Sequence, residues 1–170
     1  MNKKLKEIIN KLNNNVLVID LDEDLLNLLE KNKNIVECVN LSSKGGKKKF
    51  SLSKSKTIKI QKIRKYFKKK KIDYIICNYD SIDKYLNTFV KDSVYLNNNK
   101  LYLFGNIDID LIEKRYKRYN TKIEVYSFKN TYIVEIDNTN SKNNFIKDFL
   151  YQIVDVTNNI LEIVGDILMG

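Results

Sequence analysis

Short apolar runs of strand length alternate along this chain with segments whose apolar residues recur at helical spacing. The run at residues 16–19 is continuously apolar, which is typical of a strand covered on both faces, as in a parallel sheet. Further strands are predicted at residues 35–41, 57–60, 72–77 and 100–104. Because crossover connections between parallel strands are right-handed, this alternation predicts an α/β fold built on a mostly parallel sheet.

The intervening segments predict helices that cover the sheet. They are residues 3–12, a helix that Asp22 or Asp24 caps, a basic helix at residues 63–71, and residues 81–90 and 110–119. Residues 122–128 and 132–136 alternate between apolar and polar and are joined by a short polar turn. We therefore expect a hairpin that adds an antiparallel strand at the end of the sheet.

The final segment, residues 144–169, predicts an added C-terminal amphipathic helix. Covering the sheet is the simplest use of its apolar stripe. Two alternatives remain open, a homodimer contact and attachment to a membrane surface, although the acidic polar face argues against anionic lipid. The whole chain, residues 1–170, is expected to form one domain with its α/β core at residues 15–137.

Composition excludes much catalytic chemistry. The chain has no His, so it can form neither a Ser-His-Asp triad nor a histidine metal site, and its two cysteines cannot make a tetrahedral zinc site. Cys38 and Cys77 both fall in predicted strands, where a thiol usually behaves as a small buried hydrophobe. Without a signal peptide or a run of about 18 apolar residues, the protein is expected to be cytoplasmic.

Positive charge is concentrated in one segment. Residues 44–71 contain 14 of the 31 Lys and Arg and no Asp or Glu, so the rest of the chain, with 17 basic and 21 acidic residues, sums to −4. Abundant Lys and Asn without Ala or Pro are typical of an AT-rich genome, but codon bias would not remove every acid from one window. The localised positive field predicts a polyanionic partner, for which nucleic acid and an anionic membrane surface are both candidates.

Candidate phosphate-binding residues lie in two places. Those in residues 42–56, predicted to be a flexible basic loop, and in the helix that follows are Lys47, Lys48, Lys49, Lys54, Lys56 and Arg64. Flexible lysines can track a phosphate backbone with salt-sensitive affinity. In the helix at residues 110–119, Arg115 and Arg118 can grip phosphate and the adjacent tyrosines can stack on a base. The alternatives are a solvated insertion for the loop and, for the helix, a basic C-terminus with half-buried tyrosines.

Residues 72–79, Ile-Asp-Tyr-Ile-Ile-Cys-Asn-Tyr, then a helix, then residues 99–105, Asn-Lys-Leu-Tyr-Leu-Phe-Gly, resemble the second half of class I S-adenosylmethionine-dependent methyltransferases. The resemblance covers about residues 15–137 and implies a single Rossmann-like sheet that ends in a helix and a β-hairpin. It implies S-adenosylmethionine as the cofactor to consider, with Asp20 and Asn78 as candidate site residues. Asp20 would hold the ribose hydroxyls and Asn78 would lie near the methyl acceptor. In the alternative, Asn78 only caps the chain after its strand.

The chain departs from this family at the turn after the first strand. The family has a glycine-rich turn there, because only glycine lets the backbone approach the cofactor closely at a helix N-terminus. Here the strand runs into Asp20, Leu21, Asp22, Glu23 and Asp24, with no glycine. We therefore expect a degenerate cofactor site, no bound cofactor and no catalytic residues.

Three functional hypotheses follow from these patterns. The leading one is a catalytically inactive, methyltransferase-like binding module whose residues 44–71 engage a polyanion, above all nucleic acid. The second is a divergent S-adenosylmethionine-dependent methyltransferase acting on nucleic acid. The third is a structural or assembly protein that dimerises through residues 144–169.

Overall fold

The computed structural model describes residues 3–12, 15–21, 29, 35–41, 55–58, 63–69, 71–128, 131–141 and 153. Its helices are α1 (Lys3–Lys11), α2 (Ile63–Phe67), α3 (Leu86–Leu96) and α4 (Ile109–Tyr116), with 3-10 turns at Tyr79–Ser81, Asp83–Tyr85 and Lys117–Tyr119. Its strands are β1 (Val16–Ile19), β2 (Ile35–Leu41), β3 (Ser55–Ile58), β4 (Ile72–Asn78), β5 (Asn97–Gly105), β6 (Lys122–Phe128) and β7 (Thr131–Asp137). Within these ranges no helix has both the length and the apolar character needed to cross a membrane.

The described strands form one seven-stranded sheet in the order β3-β2-β1-β4-β5-β7-β6. Strands β1 to β5 pair in parallel, and β7 lies antiparallel between β5 and β6. This arrangement confirms the predicted α/β fold with a mostly parallel sheet and an antiparallel hairpin at one end. The sequence order of the strands reverses at the β1–β4 boundary, which creates the crevice that ligands occupy in open α/β sheets.

Apolar side chains bury both faces of the sheet. Leu17, Ile75 and Leu103 lie on the face that α2, α3 and α4 cover. Val18 and Ile76 lie on the opposite face, which α1 covers. All four residues of β1 are buried, which is why this strand is continuously apolar in the sequence. Burying side chains of this size stabilises the fold by about 1.5–3 kcal/mol each.

The predicted helix at residues 81–90 is wrong in its boundaries, since α3 begins at Leu86 and ends at Leu96 after two 3-10 turns. The Asn78 side chain caps the first of these turns. The buried stripe that holds α3 on the sheet continues through Val94, beyond the predicted end. The sheet then resumes at once, because Asn97 pairs with Ile72 at the start of β4.

Strand β3 begins at Ser55, inside the segment predicted to be a loop, because its backbone pairs with Cys38 of β2. The predicted strand at residues 57–60 is therefore displaced by two residues. The remainder of the predicted loop, residues 42–54, lies outside the described residues. So does the predicted C-terminal helix at residues 144–169, apart from the helical and half-exposed Ile153.

Candidate functional site

The two candidate cofactor-site residues lie side by side at the carboxyl edge of the sheet. Asp20 follows the last residue of β1 and Asn78 is the last residue of β4. Because Ile19 pairs with Cys77, the carboxyl ends of β1 and β4 lie next to each other. They do so at the boundary where the strand order reverses, the position at which open α/β sheets bind their ligands.

Asp20 adopts the left-handed backbone conformation that normally favours glycine, with φ of 51°. Aspartate tolerates this region better than most residues, because its short polar side chain can hydrogen-bond locally. The turn after β1 therefore keeps a glycine-like backbone while carrying a charged side chain. Burial, with a contribution from the Asp20 carboxylate, raises the pKa of the Cys77 thiol well above its usual range. Cys77 is fully buried, as predicted, whereas the side chain of Cys38 lies outside the described residues.

Asn78 has a structural role at this edge. Its side-chain oxygen accepts a hydrogen bond from the backbone N–H of Asp80 at 3.1 Å and so caps the 3-10 turn. Gly105, at the end of β5, has φ of 137° and lies against this turn: a Cβ there would lie 3.5 Å from Asn78 Oδ1 and 3.4 Å from Asp80 Oδ1, in ordinary van der Waals contact. The capping alternative for Asn78 is thus present in the structure.

The carboxyl edge is acidic. Asp80, Asp83 and Asp108 surround the turn after β4, and burial followed by the charges of Asp108 and Asp83 raises the pKa of the Tyr79 hydroxyl. Within the described ranges, no group of three or more Asp, Glu, Cys or His residues could hold a metal ion.

These residues do not fit S-adenosylmethionine, the cofactor that the resemblance implies. The turn after β1 carries the Asp20 side chain where a glycine would let the backbone approach a ligand. Asn78 already uses its side-chain oxygen as a cap. A ligand carboxylate at this edge would also be repelled by the carboxylates of Asp20 and Asp80, which is unfavourable.

The candidate phosphate-binding residues are only partly within the described chain. Lys47, Lys48, Lys49 and Lys54 lie outside it, and Lys56 lies in β3, where the structure describes the backbone. Arg64 is described, and its guanidinium lies 3.7 Å from the centroid of the Tyr95 ring. Tyr95 is 42% exposed, so this cation–π pair forms on the surface rather than in the core.

The Arg64–Tyr95 pair lies towards the amino edge of the sheet. Tyr95 is the penultimate residue of α3, and the next strand begins directly after it at Asn97, opposite the first residue of β4. Basic residues that are exposed on or beside α2 surround this edge; they are Lys65, Lys68, Lys69 and Lys71. The distance from Lys71 Nζ to Asp73 Oδ1 is 3.9 Å, but the Lys71 side chain remains 71% exposed and so stays available to a ligand. Tyr66 adds a second surface aromatic ring, 37% exposed.

Arg115 and Arg118 lie at the end of α4 and in the 3-10 turn that follows it, also near the amino edge. The Arg118 guanidinium lies 4.8 Å from the centroid of the Tyr119 ring, and its nitrogen atoms are buried. Tyr116 and Tyr119 are themselves completely buried. The hypothesis that these tyrosines stack on a base is therefore wrong, and the alternative that they are half buried is wrong as well, because both rings lie in the core.

Sequence reasoning missed Tyr95 as a functional candidate. The helix predicted at residues 81–90 ends before Tyr95, so the pattern assigns Tyr95 to no helix face. The usable signal was an aromatic residue off the buried stripe of Phe89, Val90 and Val94. Only the contact with Arg64, 31 residues earlier in the chain, marks Tyr95 as part of a basic surface.

No protein-family model and no curated protein matches this chain. Solved structures do. An uncharacterized protein from Listeria monocytogenes aligns with a TM-score of 0.53 and 14% identity, covering 85% of this chain and 69% of that one. M. capricolum TrmK, in complex with S-adenosyl-homocysteine, aligns with a TM-score of 0.51 and 13% identity over 85% and 71%. Precorrin-6y C5,15-methyltransferase from Geobacter metallireducens aligns with a TM-score of 0.51 and 10% identity over 78% and 87%. At these identities the likeness concerns the fold, and the chain has the Rossmann-like fold of class I S-adenosylmethionine-dependent methyltransferases.

Proposed function

We propose that this protein is a nucleic-acid-binding module with a methyltransferase-like fold and no methyl-transfer activity. The observation that carries the proposal is the Arg64 guanidinium, 3.7 Å from the centroid of the half-exposed Tyr95 ring. Arg64 belongs to the acid-free basic segment, residues 44–71. An exposed aromatic ring beside a basic segment suits single-stranded nucleic acid, because the ring stacks on a base while the cations contact phosphates.

The distribution of charge supports binding rather than methyl transfer. Arg64, Lys68 and Lys69 lie towards the amino edge, whereas Asp20 and Asp80 lie at the carboxyl edge. A phosphate backbone is attracted to the first edge and repelled by the second. A nucleic acid held at the amino edge is therefore directed away from the crevice in which this fold binds its ligands.

Fluorescence anisotropy with labelled single-stranded RNA, single-stranded DNA and duplex tests the binding. Generic basic proteins bind nucleic acid with Kd of roughly 10⁻⁴ to 10⁻⁶ M at physiological salt, so we expect a lower Kd for one of these probes. Binding no tighter than this range for every probe would refute the proposal.

Two matched pairs of variants locate the interface. Tyr95→Ala is expected to weaken binding by about 5- to 150-fold, because base–aromatic stacking contributes about 1–3 kcal/mol, whereas Tyr95→Phe keeps the ring and the affinity. Arg64→Gln should weaken binding and reduce the slope of log K against log salt by about 0.7 to 0.9. Lys84→Gln makes the same charge change at an exposed position beside the carboxyl edge, and it should leave affinity unchanged. Equal effects of the Arg64 and Lys84 changes would place the interface elsewhere.

The basic segment before β3 can be tested by deletion. Because Ser55 already belongs to the sheet, the deletion should span residues 43–54 and leave β3 intact. We expect the deletion to abolish tight binding, since it removes Lys47, Lys48, Lys49 and Lys54. Unchanged affinity after the deletion would contradict the role of these lysines.

The absence of methyl-transfer activity is tested by calorimetry with S-adenosylmethionine. We expect no heat of binding at high micromolar ligand, because Asp20 replaces the open backbone that the cofactor requires. Saturable heat would overturn this part of the proposal and favour a divergent methyltransferase acting on nucleic acid. Whether residues 144–169 also mediate assembly is a separate prediction, and the mass of the protein in solution tests it.

A further inference from the structure

A polar cleft lies at the amino edge of the sheet, where β6 begins and β7 ends. Its volume is about 310 Å³, and it is lined by Asn120, Thr121, Lys122, Asp137 and Asn140. Asn120 holds one wall in place: it has φ of 60°, and its side-chain nitrogen donates a hydrogen bond to the backbone oxygen of Asn140 at 3.4 Å. The volume is at the lower end of those that hold small organic ligands, which suits one planar ring rather than a large molecule.

The lining groups offer hydrogen bonds of both kinds. Asp137 accepts from the backbone N–H of Thr139 at 2.9 Å and from its hydroxyl at 2.6 Å, both at Oδ1. Both Thr139 hydrogen bonds use Oδ1, so neither of them occupies Asp137 Oδ2. Partial burial opposes ionisation, but the Thr139 hydrogen bonds and nearby Lys100 and Lys122 hold the pKa of Asp137 below its usual range. Ionised Asp137 thus supplies an acceptor, while Lys122 supplies a donor.

A buried amide beside the cleft has no partner in the described ranges. Asn138 is only 3% exposed, yet neither its side-chain nitrogen nor its side-chain oxygen has a hydrogen-bond partner there. Buried polar atoms are normally paired, so this amide is an exception, although its side chain is not one of those that line the cleft. Asn138 lies between Asp137 and Asn140 in the chain, which both line the cleft.

We propose that this cleft binds one unpaired nucleobase that carries an exocyclic amino group, as adenine and cytosine do. The inference rests on the proposed nucleic-acid binding and names the part of the nucleic acid that is recognised. Carboxylates accept hydrogen bonds from base amino groups, and asparagine side chains pair with the adjacent edge of adenine. Uracil has a carbonyl oxygen in place of this amino group, so at that position it would present an acceptor, and not a donor, to the Asp137 carboxylate.

The position of the cleft fits a short single strand that also contacts Tyr95. Only β7 separates β6 from β5, whose first residue follows α3 directly. Two strand spacings correspond to about 10 Å along the sheet edge. Tyr95 and the cleft therefore lie towards the same edge of the sheet, where one single strand can contact both.

The test compares labelled single-stranded oligonucleotides of adenine, cytosine and uracil, of equal length, by anisotropy. The adenine and cytosine oligomers are expected to bind about 5- to 150-fold more tightly than the uracil oligomer. Asn140→Ala and Asp137→Asn should remove most of this preference. Asn106→Ala, an exposed asparagine beyond the carboxyl end of β5, is the matched control and should preserve it.

The outcomes separate this inference from the proposed function. Tight binding that is lost in Tyr95→Ala but is equal for the three oligomers would overturn the base cleft and leave the proposed function standing. Weak binding of all three oligomers would overturn both. Because Asp137 also contributes to folding, titration of adenosine monophosphate into the ¹⁵N-labelled unmodified protein provides a second measurement. The side-chain amide signals of Asn120 and Asn140 should shift, and unshifted signals at millimolar nucleotide would refute the cleft.

Discussion

A buried hydrogen bond joins α3 and α4, the two helices that carry Tyr95 and Arg115. Ser93 Oγ lies 2.8 Å from the Tyr116 hydroxyl oxygen, and both residues are at most 1% exposed. The Ser93 hydroxyl donates its hydrogen to the backbone oxygen of Val90 at 2.9 Å. It must therefore accept from Tyr116, whose phenol stays protonated because burial raises its pKa well above the usual range.

This direction of donation predicts unequal costs for removing the two partners. Tyr116→Phe removes the donor and leaves the hydroxyl of Ser93 bonded to Val90, so it should lower the free energy of unfolding by about 0.5–1.5 kcal/mol. Ser93→Ala leaves the Tyr116 hydroxyl buried without an acceptor and should cost about 1–3 kcal/mol. In the double variant neither group is orphaned, so its cost should be smaller than the sum of the single costs by about 1 kcal/mol.

Urea unfolding of the four proteins in this double-mutant cycle measures these differences, provided that the slope of each transition is unchanged. We expect the unmodified protein to be the most stable, Tyr116→Phe to be less stable, and Ser93→Ala to be the least stable of the three. If the single costs were equal and additive, the two hydroxyls would not be coupled, and the inferred packing of α3 against α4 would be wrong.

Three further predictions concern the site and the sheet. Asp20→Ala should lower the free energy of unfolding by about 1 kcal/mol, whereas Asp20→Gly should leave it within about 0.5 kcal/mol of the unmodified protein. The reason is that only glycine adopts the left-handed conformation freely. Equal losses in the two variants would contradict the left-handed turn at Asp20. Lys100→Met should lower the free energy of unfolding by about 1 kcal/mol more than Glu135→Gln does. Lys100→Met leaves the carboxylate of Glu135, which is only 7% exposed, without its cation, whereas Glu135→Gln leaves a lysine that is partly hydrated. The reverse order of stability in urea unfolding would refute this. Because the pKa of Asp137 is lowered in the folded protein, its carboxylate stabilises the fold at pH values above 3.8, the ordinary pKa of aspartate. This contribution disappears as the pH falls through the folded-state pKa. Asp137→Asn should therefore flatten the acid side of the plot of Tm against pH, and an unchanged acid side would contradict the shift.

Much of the fold could be predicted from local sequence patterns. The predicted strand at residues 16–19 coincides with β1, and that at residues 35–41 coincides with β2. Strand β1 is buried on both faces, so its apolar run has the length of the strand itself. The alternation of apolar and polar residues also predicted the hairpin of β6 and β7.

The boundaries around α3 could not be predicted in this way. The apolar spacing at Ile82, Tyr85 and Leu86 is helical, yet the chain turns twice before the helix begins. Asn97 belongs to a polar run that resembles a turn, but pairing with Ile72 makes it the first residue of β5. In both cases a contact with a distant strand end, rather than a local preference, decides the conformation.

The same distinction applies to the features of the candidate site. The sequence alone determined four features: the fold class, the basic segment at residues 44–71, the missing glycine after β1 and the burial of Cys77. Each of them depends on composition or on the pattern of adjacent residues. Tertiary structure alone decided that Asp20 adjoins Asn78, that Tyr95 lies beneath Arg64, and that Tyr116 is buried. The physical reason is that periodicity specifies which face of an element is apolar, whereas strand order and helix packing determine which residues meet across the chain.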